Sequence, residues 1–172
     1  MTNPNKVAEP GDIYLKKARG SKPDLSVEAR AIITHTQLIN NLRGKINKEF
    51  TELKNRQEKV RFLQKLKKTI NSAITDKGEF DASNNPQLQT MLDEATKLGV
   101  ERKEGVYKFT KEACDRLLQN IQITVEDFNV SNDSQLQTMT RLTNDRYESF
   151  QMTMMMLKTD HESKTQMARN IK

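Results

Sequence analysis

The sequence contains no tryptophan, one cysteine and two histidines among its 172 residues. A single cysteine excludes an intramolecular disulfide, and we interpret Cys114 as a buried small residue rather than a nucleophile. His35 and His161 lie far apart in the fold that we predict below. Each is therefore interpreted as a polar helical side chain, and we predict no metal site.

Aromatic residues make up only 5% of the chain and apolar residues 34%, whereas 30% are charged. This composition is poor for a thick globular core and suits elongated paired helices, which bury a narrow line of side chains. No apolar run approaches eighteen residues, so we expect no membrane span. The segment 1–20 lacks the apolar core of a secretory signal peptide.

Motifs of enzyme chemistry are also missing. There is no glycine-rich phosphate loop, nucleophile elbow or Ser/His/Asp combination. The run 76–85 superficially resembles a calcium loop but lacks the alternating oxygen ligands, and turn chemistry explains it. We therefore predict no enzymatic activity, no catalytic, cofactor-binding or metal-ligating residue, and no cofactor.

The longest span without glycine or proline covers residues 110–172. Its apolar residues recur at steps of three and four, which predicts one long helix with a single apolar stripe. The stripe comprises Cys114, Leu117, Leu118, Ile121, Val125, Phe128, Leu136, Met139, Leu142, Tyr147, Phe150, Met154, Leu157, Ala168 and Ile171.

A seven-residue repeat predicts an earlier coiled-coil helix over residues 25–75, capped by Ser26. Its companion line is interrupted by His35, Glu49 and Arg56, so we expect an irregular seam. The repeat is formed by Ile32, Ile39, Ile46, Leu53, Val60 and Ile74, with Lys67 in the sixth position.

Two further segments complete the predicted organisation. Residues 1–24 hold three of the four prolines and predict a flexible N-terminal arm. Residues 76–109 predict an inserted subdomain, in which Asn85 and Pro86 begin a short helix that Gly99 ends. Residues 100–109, around Gly105, are expected to form a small hairpin or an irregular loop.

We therefore predict a mainly all-α fold, an elongated antiparallel two-helix coiled-coil hairpin with a small insert, as one domain over 25–172. In the simplest register, Val60 lies opposite Val125 and Ile32 lies opposite Thr153. The predicted seam comprises Ile32, Ile39, Ile46, Leu53, Val60 and Ile74 of the first helix and Leu118, Ile121, Val125 and Phe128 of the second.

The net charge of +6 is concentrated in one segment, since residues 43–68 carry ten basic and three acidic residues. This favours, as an alternative function, binding of nucleic acid or an anionic surface. Against it, the cations share the heptads of the apolar seam, and a face partly neutralised by Glu126 and Asp127 also explains them. The candidate basic patch is Lys54, Arg56, Lys59, Arg61, Lys65, Lys67 and Lys68.

Four methionines at positions 152 and 154–156 point in several directions on the second helix. They either fill the seam or form an adaptable surface for a partner helix. Not all of them can face one antiparallel helix, so apolar surface is left for a third helix or another subunit.

The layout, together with the segments 109–121, 134–147 and 168–171, resembles type III secretion proteins of the needle-tip and EspA-like filament class. It is also similar to small proteins associated with chlamydial-type secretion systems. The resemblance covers 26–172 as architecture and 110–172 as sequence. The basic balance and shorter chain depart from most tip proteins.

This resemblance implies a bacterial, virulence-associated structural protein that binds protein partners or itself, rather than nucleic acid. It implies a cytoplasmic protein before export, with the N-terminal arm as an uncleaved export signal, and a location outside the cell or at its surface afterwards. The docking or self-association residues that it implies are Tyr147, Phe150, Met154, Leu157 and Ile171.

Overall fold

The computed structural model describes residues 26–171, so the predicted arm at 1–24 lies outside the described residues. Helix α1 spans Val27–Ala73 and helix α3 spans Lys111–Asn170. Between them lie strand β1 (Phe80–Asp81), helix α2 (Pro86–Lys97) and strand β2 (Lys108–Phe109). The predicted all-α class, with a long first helix packed against a long last helix, is confirmed.

Both long helices begin at a hydroxyl cap followed by an acidic residue. The Ser26 Oγ accepts a hydrogen bond from the Ala29 amide at 3.2 Å, and the Thr110 Oγ1 accepts one from Ala113 at 3.4 Å. Hydrogen bonds from the backbone and from the cap hydroxyl lower the pKa values of Glu28 and Glu112. The negative charge of each carboxylate is favourable at the positive end of the helix dipole.

The contacts divide the chain into two compact units, which we treat separately. We call residues 50–137 the insert-bearing unit, because β1, α2 and β2 lie within it. We call the described residues 26–49 and 138–171 the terminal unit. Each unit contains part of α1 and part of α3.

The insert-bearing unit has an apolar core formed by both long helices and the insert. Each element contributes side chains that are almost fully withdrawn from water, which supplies most of the unit's stability. The buried set comprises Val60, Leu63, Leu66 and Ile70 of α1, Phe80, Ala82, Leu88, Leu92, Ala95, Val100 and Phe109 of the insert, and Cys114, Leu117, Ile121 and Val125 of α3.

The insert is closed by a two-residue antiparallel ladder in which Phe80 pairs with Phe109. Their rings stack, with the ring centroids 5.6 Å apart. Of the two alternatives for 100–109, the hairpin is wrong and the irregular loop describes 100–107. Its last two residues pair with residues before α2, because Phe80 and Phe109 are both buried against the core. Gly78 precedes the ladder with φ 81°, and a Cβ there would lie 2.8 Å from the Lys111 side chain.

The short helix α2 begins and ends as its sequence predicts. The Asn85 side chain accepts a hydrogen bond from the Leu88 amide at 3.1 Å, and Pro86 occupies the first turn. Gly99 follows the last turn with φ 103°, a conformation that glycine adopts without strain. The helix thereby presents Leu88, Leu92 and Ala95 to the core.

Polar contacts show that α1 and α3 are antiparallel in the insert-bearing unit. The Arg56 Nη1 donates to the Asn132 Oδ1 at 3.3 Å, and the Lys67 Nζ donates to the Gln122 Oε1 at 2.7 Å. The register that placed Val60 opposite Val125 is therefore shifted by about four residues, roughly one helical turn. In the terminal unit, the charges of Asp160 and Lys164 act on Glu28, which places the beginning of α1 near this part of α3.

The terminal unit has a more polar interior. The buried residues are of two kinds. The apolar ones are Ile32, Ile39, Leu42 and Leu142, and the polar ones are Thr36, Ser149 and Thr153. The Thr36 and Thr153 hydroxyls each donate to the carbonyl four residues earlier, both at 2.8 Å, so their burial leaves no free donor.

The single apolar stripe predicted along α3 is only partly right beyond Phe128, where Leu142 is buried but Leu136, Phe150 and Met154 are exposed. Cys114, Leu117, Ile121 and Val125 are buried as that stripe requires. Further along, Ser149 and Thr153 occupy the buried positions, whereas their neighbours Phe150 and Met154 are exposed. Adjacent helical positions differ by about 100°, so the apolar residues lie beside the interface and not in it.

Candidate interaction surfaces

The terminal unit exposes three large apolar side chains on α3, which we call the apolar face. Tyr147 is 62% exposed, Phe150 37% and Met154 46%. Their spacing of three and four residues places them on one side of the helix. Clustered side chains of this size at a surface are a common mark of a protein-binding site.

The other residues predicted for docking fall in different environments. Leu157 is half-buried, and Ile171 is exposed beyond the last residue of α3. Met152 and Met155 are exposed and Met156 is half-buried, so the methionine run does not face a single neighbour. Of the five predicted docking residues, the structure therefore groups Tyr147, Phe150 and Met154.

The predicted seam residues lie mainly on the inner sides of the two helices. Ile46, Ile74, Leu118 and Phe128 are only partly buried. Ile74 follows the end of α1 and packs against the core together with Leu118 and Phe128. The fully buried members are Ile32, Ile39, Leu53, Val60, Ile121 and Val125.

The predicted basic patch separates into two sets. Arg56 and Lys67 turn inward and donate to side-chain amides of α3, and the Lys59 ammonium lies 6.0 Å from the centre of the Phe128 ring. The partners are therefore amides and an aromatic ring, and not the carboxylates of Glu126 and Asp127 that we expected. The second set is exposed and forms what we call the basic face: Lys54, Arg61, Lys65 and Lys68.

An acidic face on α3 of the same unit escaped the sequence analysis. Asp115, Glu126 and Asp133 are exposed and are separated by eleven and seven residues, a spacing that repeats on one side of a helix. The exposed apolar residues Ile123 and Val130 lie between them on that side. The spacing of the three acidic residues could have revealed this face in the sequence. It was missed because the net charge of residues 110–172 is close to zero.

Arg102 joins α2 to the segment before β2. Its guanidinium forms an ion pair with Asp93, donates to the Thr96 hydroxyl at 2.7 Å and donates to the Val106 carbonyl at 2.9 Å. The Tyr107 hydroxyl also donates to Asp93 at 3.0 Å. The Arg102 side chain is 3% exposed, so this network fixes the insert and presents no free cation to a ligand.

The groups that would support catalysis or metal binding are not brought together in the described residues. Burial and the neighbouring Asp115 raise the pKa of the Cys114 thiol, which disfavours the nucleophilic thiolate. Residues 26–171 contain no group of three or more side chains arranged to hold a metal ion. Within the same range, no helix has the length and apolarity needed to cross a bilayer.

The fold and the surfaces thus define a class: an all-α protein of two long packed helices with a small core-forming insert. Comparisons with protein-family models, curated proteins and solved structures found no match for this chain. The likeness to secretion proteins therefore stays a prediction drawn from the sequence.

Proposed function

We propose that this chain is a non-enzymatic structural or interaction protein of a bacterial type III secretion apparatus, either a component or an exported substrate. It acts through helix α3, whose apolar face docks onto another protein of the apparatus. The observation that carries the proposal is the exposure of Tyr147, Phe150 and Met154 beside an interior that buries Ser149 and Thr153.

The arrangement favours a partner-binding role over a purely structural one for these residues. Burying an aromatic or methionine side chain contributes about 1.5–3 kcal/mol, yet the terminal unit leaves all three in contact with water. Small hydroxyl residues occupy the interior, where the Thr153 hydroxyl donates to the Ser149 carbonyl of its own helix. The apolar area is therefore retained for a contact made after folding.

Export is tested in a bacterium that carries this gene and a type III secretion apparatus. The chain is followed in the medium and on the cell surface, with and without an active secretion ATPase. We expect the protein outside the cell only when the ATPase is active. Retention in the cytoplasm in both strains would overturn the secretion role.

Docking is tested by Phe150→Asp, with Thr159→Asp as the matched control on the same helix. Both changes add one negative charge at an exposed position, but Thr159 lies outside the apolar face, since it is five residues beyond Met154. We expect Phe150→Asp to lose cross-linking to the needle or tip proteins, whereas Thr159→Asp retains it. Equal cross-linking by the two variants would remove this face from the proposal.

A further inference from the structure

The basic face of the insert-bearing unit is a set of cations that the fold leaves unneutralised. Lys54, Arg61, Lys65 and Lys68 are separated by seven, four and three residues, so they lie on one side of α1. That side is remote from the buried Leu63, Leu66 and Ile70. Within residues 26–171, none of the four forms an ion pair or a side-chain hydrogen bond.

Apolar and acidic residues border this row of charges. Phe50 is exposed four residues before Lys54 and continues the same side of the helix. Glu58 lies at its edge and reduces the local excess of positive charge. At a rise of about 1.5 Å per residue, the four cations extend over roughly 21 Å of α1.

The acidic face of α3 in the same unit is the counterpart. Asp115, Glu126 and Asp133 also form no ion pair with any described residue, and Glu126 accepts only a hydrogen bond from Gln122 at 2.7 Å. Ile123 and Val130 supply exposed apolar area between the carboxylates. This mixture is typical of a protein interface and differs from a uniformly solvated helical face.

The charged residues of the two faces share the same separations along their helices. Lys54 and Lys65 are eleven residues apart, as are Asp115 and Glu126. Lys54 and Arg61 are seven apart, as are Glu126 and Asp133. Two α-helices that share a charge spacing bring two pairs of opposite charges into contact in one register, without bending either helix.

The charge balance of the unit allows two copies to approach each other. Residues 50–137 contain fourteen basic and fourteen acidic residues, so the unit has no net charge. Its two long helices nevertheless have opposite charge balances, since residues 50–73 carry seven basic and two acidic residues, and residues 111–137 carry two basic and five acidic residues. Complementary patches on a neutral body give attraction between faces without overall repulsion.

We propose that the basic face of one copy of this chain docks on the acidic face of α3 in a second copy. The contact is heterologous, because the two surfaces differ, so it adds copies in series as a ring or an open filament. This inference rests on the insert-bearing unit alone and is independent of the docking proposed for the terminal unit.

Charge reversal on the full-length chain tests the proposal. Lys54→Glu/Arg61→Glu cancels the charge of the basic face, and Glu126→Lys/Asp133→Lys turns the acidic face basic. Lys97→Glu/Lys103→Glu is the control, since it reverses two exposed cations that lie outside both faces. Circular dichroism establishes that each variant retains its helices, and light scattering measures the mean mass over a range of protein concentrations.

We expect the mean mass of the wild type and the control to rise with concentration at about 50 mM salt and to fall to the monomer at about 500 mM, since salt screens exposed charges. Each face variant alone stays monomeric at low salt, and an equimolar mixture of the two associates again. A wild type that stays monomeric at low salt would overturn the proposal, as would a mixture that fails to associate.

A nucleic-acid partner for the same cations predicts a different pattern. A fluorescent single-stranded or duplex DNA would then bind the wild type as a monomer and bind Glu126→Lys/Asp133→Lys more tightly. DNA binding without concentration-dependent mass would overturn self-association in favour of that alternative. Loss of export or of needle cross-linking bears only on the proposed function, so the two failures are distinguishable.

Discussion

The insert-bearing unit and the terminal unit are built from the same two helices but use them differently. In the first, α1 and α3 meet around Leu63, Ile70 and Ile121, and the insert adds further apolar side chains. In the second, Thr36, Ser149 and Thr153 are buried and large apolar residues lie outside. The difference is that the first unit has a large apolar core, whereas the second leaves the apolar face, for which we proposed a contact, exposed to water.

Buried area accounts for this division of roles. A core that withdraws leucine and isoleucine side chains from water stabilises a unit by about 25 cal/mol per Å² of apolar surface. Small hydroxyl residues contribute less area, but they let two helices approach closely. The terminal unit therefore buries less apolar surface and leaves the apolar face exposed.

The largest expected effect comes from removing core volume. Leu63→Ala in the insert-bearing unit should lower the free energy of unfolding by about 3 kcal/mol, because Leu63 is 0% exposed within the core. Leu142→Ala in the terminal unit, where Leu142 is 9% exposed, should cost roughly 2 kcal/mol, near the lower end for a buried leucine, because the space is partly open to water. Urea unfolding measures both changes, and equal losses would remove the contrast between the units.

A smaller effect is expected at the polar interior of the terminal unit. Thr153→Val keeps the side-chain shape and removes a hydroxyl that bonds only to the carbonyl of its own helix. The free energy of unfolding should change by less than about 1 kcal/mol, with an increase expected since no buried partner is left unpaired.

The matched control for that change is Thr143→Val, an exposed position on α3 whose hydroxyl bonds to the Met139 carbonyl at 2.8 Å. We expect Thr143→Val to be neutral or slightly destabilising. A loss above roughly 2 kcal/mol for Thr153→Val would indicate that the hydroxyl supports tertiary packing, which contradicts the reading of this interior.

The smallest effect concerns the helix caps, one in each unit. Glu28 and Glu112 have pKa values below their ordinary value of 4.5, mainly because backbone amides donate to their carboxylates. A depressed folded-state pKa stabilises the fold above the ordinary value, and this contribution is lost as the pH falls through the folded pKa.

Glu112→Gln and Glu28→Gln should therefore reduce the acid sensitivity of the melting temperature below pH 4.5. Thermal unfolding between about pH 3 and 7 measures this dependence. Lys97→Gln, far from both caps in sequence, serves as the neutral control. Melting curves with the same pH dependence in all four proteins would contradict the role of the caps.

Much of the fold follows from sequence patterns whose physical cause is local. The heptad from Ile32 to Val60 predicted α1, and Asn85, Pro86 and Gly99 predicted both ends of α2. These signals depend on helical periodicity and on capping, which act within a few residues. The class and the elements were therefore within reach of the sequence.

The register between α1 and α3 and the residues on the exposed surfaces could not be predicted from the sequence. A one-turn shift between α1 and α3 keeps every apolar residue near another, so periodicity alone does not choose between the two registers. Hydrophobicity favoured Phe150 and Met154 as interior positions, whereas the structure buries Ser149 and Thr153. Arg56 and Lys67 turn inward because they donate to side-chain amides that lie 76 and 55 residues later in the sequence. Such distant partners are not visible in a local pattern.

The ladder between Phe80 and Phe109 brings the two ends of the insert together at one point. A foreign peptide or fluorophore placed in the exposed turn 103–105 would therefore be held away from this junction, on a loop whose ends are already fixed. The turn is thus a suitable position for a label in imaging or assembly experiments, because it leaves the apolar, basic and acidic faces unaltered.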